Sequence, residues 1–109
     1  MDELLAVADA RYELGQYDDA GNLYHTSYYA TIRKSHNVND PAIFHIAHKM
    51  ILAWMKSENE NTIKYAHGIA QSNCNMFGHP AYIREDLKNI EKLMKRKGIK
   101  IERFGSMMY

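Results

Sequence analysis

The chain has 109 residues, 46% hydrophobic and 25% charged, a size and apolar content that fit one small domain with a single core. Its net charge of +1 removes any overall electrostatic pull towards nucleic acid or a membrane surface. The single cysteine, Cys74, rules out an intramolecular disulfide, the start Met1-Asp2-Glu3 lacks a secretory pattern, and no apolar run nears the ~18 residues of a membrane span, so a cytoplasmic protein without a membrane partner is expected.

The segments are rich in Ala, Leu, Met, Lys and Glu, alternating β-branched runs are absent, and the only prolines, Pro41 and Pro80, precede helical patterns instead of interrupting them. An all-α fold of about five helices follows. The first helix is predicted over Asp2 to Leu14, with Leu4, Leu5, Val7, Ala8 and Tyr12 on its buried side and Gly15 as its stop. The second runs from Asp18 to Lys34 and buries Ala20, Leu23, Tyr24, Ser27, Tyr28 and Thr31. Asp40 and Pro41 cap and open a third helix to Met55; Ile43, Phe44, Ile46, Ala47, Met50, Ile51 and Trp54 make much of its circumference apolar, so it should be central. Ser57 and Glu60 have capping-box spacing and predict the start of a fourth helix, which buries Ile63, Ala66, Ile69 and Ala70 before ending near Ser72. A fifth helix spans Pro80 to Lys97, buries Ile83, Leu87, Ile90 and Leu93 or Met94, and ends at Gly98. Residues 1–98 are thus read as one helical domain, and 99–109 as a tail whose apolar end, Phe104 to Tyr109, is expected first to close the last helix onto its own core, the alternatives being a crossing to a second copy of the chain or recognition as a peptide by a partner.

Gly15, Tyr17, Ala20 and Tyr24, with Ala8 upstream, fall at tetratricopeptide spacing, and the chain resembles one such repeat over Asp2 to Lys34. A looser second copy covers Pro41 to Ser72, where Ala47 and Ala66 keep the separation of Ala8 and Ser27 but the turn glycine and tyrosine are missing. The first repeat also departs from the family at Leu4 and Arg11, where aromatic residues are usual. An ordinary antiparallel helical bundle is the alternative architecture.

The resemblance implies a short stack of helical hairpins with the fifth helix as a cap, and a concave groove lined by the first helix of each pair that holds a peptide or partner helix. Candidate partner-binding residues are then Asp9, Tyr12, Glu13, His45, His48, Lys49 and Leu52. Members that grip a terminal carboxylate carry a lysine and an asparagine where Leu5 and Asp9 stand here, which disfavours that ligand. Tyr12 also has a plain reading as core or rim packing.

No chemistry-bearing constellation accompanies these residues. His45 and His48 share a helical face, but the remaining candidate ligands, His25, His36, His67, His79 and Cys74, lie on separate segments without a paired pattern, so no metal or cofactor is expected. Glycine-rich phosphate loops, serine elbows and paired-cysteine motifs are missing, and no catalytic activity is expected. Tyr28-Tyr29-Ala30 resembles small helical nucleotide-binding domains of toxin ribonucleases, yet Arg33 and His36 stand too close for the arginine–histidine motif of that class.

The charge is unevenly distributed. Lys92, Lys95, Arg96, Lys97, Lys100 and Arg103 crowd the last fifth of the sequence and supply the rival function, nucleic-acid binding, although cations at a helix C-terminus also complement its dipole. The leading expectation is a small protein-binding module, and both a host adaptor and a viral regulator that occupies a host surface fit it.

Overall fold

Five stretches of three-and-four apolar spacing become five helices in the computed structural model, which describes residues 2–35, 40–76 and 78–101. They are α1 (Asp2–Glu13), α2 (Tyr17–Lys34), α3 (Pro41–Ser57), α4 (Glu60–Cys74) and α5 (Ala81–Lys97), and no strand occurs among the described residues. The fold is all-α.

Glycine ends two of these helices in the same way. Gly15 has φ +78, its N–H reaches Tyr12 O at 3.0 Å, and the N–H of Gln16 reaches Arg11 O at 2.9 Å. Gly98 has φ +73, with Gly98 N to Lys95 O at 3.2 Å and Ile99 N to Met94 O at 2.8 Å. Both pairs of bonds are Schellman closures, which satisfy the last carbonyls of a helix through a residue in the left-handed region that only glycine enters without steric cost.

Two expected starts are corrected. Ser57 does not cap α4; it completes α3 and hydrogen-bonds Trp54 O at 2.8 Å, while Glu58 turns the chain at φ 60 and the Asn59 side chain accepts from Asn61 N at 2.9 Å. Asparagine at this position caps as well as serine does, and it lies two residues later. Pro80 stands at the N-cap of α5 instead of in its first turn, whereas Asp40 caps α3 as expected, accepting from Ala42 N at 3.0 Å with Pro41 following.

Helix α3 is central. It packs against α2, α4 and α5, while α1 packs on α2, and α4 on α5. All seven of its expected core residues are buried, joined by Ala53. Small residues mark the helix contacts, since Ala8, Ala20, Ser27, Ala47 and Ala66 are all fully buried. Val7 is the exception to the expected inner face, 45% exposed on the far side of α1. This arrangement is compatible with a stack of helical hairpins.

Ile99 is buried and Ile101 half-buried against the core, so the chain stays attached just past α5. The expected docking of Phe104 to Tyr109, the candidate cation Arg103 and the candidate ligand His36 fall outside the described residues. Among the described residues, no helix is long and apolar enough to cross a membrane.

Candidate functional site

The register of α1 places Asp9, Tyr12 and Glu13 on one side, and that of α3 places His45, Lys49, Leu52 and Lys56 in one row three to four residues apart. Asp9, Tyr12, Glu13, Lys49 and Leu52 line a groove of about 360 Å³, with Tyr24 of α2 completing it. Five of the seven residues singled out in the sequence thus meet in one place.

One polar unit spans it. Lys49 Nζ donates to both oxygens of Asp9, at 3.0 and 3.2 Å, and sits 5.9 Å above the Tyr24 ring, while the Tyr24 hydroxyl donates to the same carboxylate. Burial pushes the Asp9 carboxyl up, but the bonds from Tyr24 and Lys49 and the charges of Lys49 and His45 outweigh it and hold it below the usual aspartate value. Burial, reinforced by the Asp9 bond and charge, drives the Tyr24 hydroxyl well above the usual tyrosine range. With Asp9 neutralised, Glu13 remains as a carboxylate with no hydrogen bond or salt bridge among the described residues, beside the apolar Leu52 and the Tyr12 ring. Such a trough offers one fixed dipole, one open charge and apolar contact, which suits a side-chain-bearing ligand.

The two histidines part company. His45 is exposed and acts on Asp9 only through its charge. His48 turns towards α5, where its Nδ1 lies 2.6 Å from Asp86 Oδ2 and its ring 5.0 Å from that of Tyr82. Burial pushes the Asp86 carboxyl up more than the bond and charge of His48 bring it down. A second bridge, His67 Nε2 to Glu91 Oε2 at 2.9 Å, joins α4 to α5. Neither bridge was anticipated, although a signal existed: Asp86 falls between Ile83 and Ile90, and His67 between Ile63 and Ala70, on otherwise apolar stripes where a polar side chain requires a partner.

At the far end of α3, Lys56 Nζ stands 4.9 Å from the Tyr12 ring and 5.6 Å from that of Tyr17, which are themselves in edge contact at 5.2 Å. Of the basic C-terminal set, Lys92, Lys95, Arg96 and Lys97 are exposed in the last two turns of α5, and Lys100 is exposed beyond it. Lys92 and Arg96 reach a groove. It holds about 460 Å³ and is shared with Tyr17, Met55, Lys56, Glu58, Asn89 and Leu93. Among the described residues, no three His, Cys, Asp or Glu side chains are grouped to hold a metal ion, and burial pushes the Cys74 thiol up, away from its reactive thiolate form.

Compared with known proteins, the chain matches no family model, no curated protein and no solved structure.

Proposed function

We propose that this chain is a non-catalytic protein-binding module, an adaptor or regulator in the cytoplasm. A peptide or partner helix would lie along the groove between α1 and α3. The observation that carries the reading is the convergence of Asp9, Tyr12, Glu13, Lys49 and Leu52 on one trough formed by the first helices of two successive hairpins. That is the position where a tetratricopeptide-like stack presents its ligand-binding face. Small buried residues at Ala8, Ala20, Ser27, Ala47 and Ala66 support the repeat interpretation.

The test is affinity capture from native host extract, repeated with Tyr12→Ala and Leu52→Ala. Both side chains are half-buried at the groove, so each variant is checked first for intact helical content. Loss of the same captured proteins from both variants supports the groove. Retention of every captured protein by two folded variants removes it.

The exposed row Lys92, Lys95, Arg96, Lys97 and Lys100 supports a second reading, nucleic-acid binding through the end of α5. A labelled DNA or RNA strand that fails to shift at low salt eliminates it.

A further inference from the structure

Lys92 and Arg96 stand four residues apart on α5 and form no hydrogen bond or salt bridge among the described residues. Like charges at this spacing repel across one helical turn. A third cation, Lys56, comes from α3 into the same groove, its ammonium positioned by the rings of Tyr12 and Tyr17. Among the described residues, Glu58 is the only carboxylate on the lining, facing three cations, and Met55, Leu93 and Tyr17 supply apolar surface between them.

We propose that this groove between the C-terminal ends of α3 and α5 binds an acidic peptide segment, two carboxylate side chains meeting Lys56, Lys92 and Arg96 while an apolar side chain between them rests on Met55 and Leu93. The proposal rests on the reading of the chain as a protein-binding module and adds the chemical class of its ligand. Tyr12 borders the α1–α3 trough and also carries Lys56, so the two grooves adjoin and one extended partner can occupy both.

The surroundings favour a peptide over a nucleic acid. Tyr17 and Lys56 also border a neighbouring depression with Asp18 and Asp19, so the positive stretch is short and flanked by carboxylates. A nucleic-acid strand carries a charge on every nucleotide and would run its next phosphates towards these acids. A peptide carries its charges only where acidic side chains occur, and its backbone between them is neutral.

Fluorescence anisotropy of the full chain tests this with three labelled probes: a synthetic peptide of repeated Glu-Leu-Glu-Gly units, the same peptide with glutamine for glutamate, and an oligothymidylate. The glutamate peptide should bind, more weakly as salt rises, and tighter than either other probe. Lys92→Gln combined with Arg96→Gln should weaken it about tenfold, as expected from two rim ion pairs. Lys56→Gln, on a different helix, should weaken it in the same direction. The reversal Lys92→Glu with Arg96→Glu should prefer a lysine-containing peptide. Equal binding of the glutamate and glutamine peptides, unchanged affinity in folded Gln variants, or tighter binding of oligothymidylate overturns the proposal. If Tyr12→Ala and Leu52→Ala still abolish capture of host proteins in that event, only the ligand class is wrong and the module reading stands.

Discussion

Helix α3 is fastened to α2 and α5 by two different kinds of chemistry. The α2 seam is close-packed: Ala20, Tyr24, Ser27 and Tyr28 are buried, and the indole of Trp54 lies so close to Gly21 that a Cβ there would sit 2.2 Å from Nε1. Around that indole, His25 and Tyr65 add ring contacts at 5.6 and 5.0 Å, and His25 Nε2 lies 3.0 Å from the Tyr65 hydroxyl. The seam of α5 is apolar too, through Ile83, Ile90, Leu93 and Met94, but the His48–Asp86 bridge crosses it, and the His67–Glu91 bridge ties α5 to α4 beside it. A close-packed contact depends on volume and a histidine–carboxylate contact depends on protonation, so the two sides of α3 should fail under different insults.

The largest expected effect is on the close-packed side. Gly21→Ala forces Trp54 or the α2 backbone to move, and a loss of about 3 kcal/mol is expected in urea denaturation. A loss below about 0.5 kcal/mol would show that the seam has slack and would erase the contrast. Next comes His67→Ala, which removes a buried ring and its bond to Glu91 at an expected cost of about 2 kcal/mol. Amide hydrogen exchange should then show α5 losing protection while α2 keeps it; equal loss in both would mean that the helices open as one unit.

The smallest effects are in the pH dependence and have opposite signs. Asp86 holds its proton more tightly folded than unfolded, so its contribution is fully present below the ordinary value of 3.8 and declines as pH rises through the raised folded value. Asp9 is the reverse: its contribution is present above 3.8 and is lost as pH falls through its lowered folded value. Denaturation curves between about pH 3 and 6 should show Asp86→Asn removing the decline and Asp9→Asn removing the acid-side loss. The half-exposed Asp9–Lys49 pair should account for less than about 1 kcal/mol. Parallel slopes in the two variants would contradict the assignment.

Helical periodicity disclosed most of the architecture because it records which face of each helix avoids water. The seven apolar positions of α3, the stops at Gly15 and Gly98 and the Asp40 cap all follow from local rules that need no knowledge of the neighbour. Five residues of the α1–α3 trough were also named from the sequence, since three-and-four spacing places Asp9, Tyr12 and Glu13 on one side of α1 and Lys49 and Leu52 on one side of α3. The pairings of His48 with Asp86 and His67 with Glu91 were not, because they join residues 38 and 24 positions apart and depend on which helix lands beside which. The start of α4 was misread for a local reason. Ser57 and Asn59 are both competent caps, but Ser57 is taken into the last turn of α3, where its hydroxyl bonds Trp54 O, and the cap passes to Asn59.

Trp54 is the only tryptophan in the chain, and it is almost wholly buried at the α2–α3 seam, in ring contact with Tyr65 and His25. Its emission is therefore a local gauge. Parting of α2 from α3 would bring water to the indole and shift its fluorescence to the red, whereas release of α5 alone would leave the spectrum unchanged. Read alongside far-ultraviolet dichroism, which follows all five helices, one intrinsic fluorophore can separate the loosening of a single helix from the loss of the whole fold.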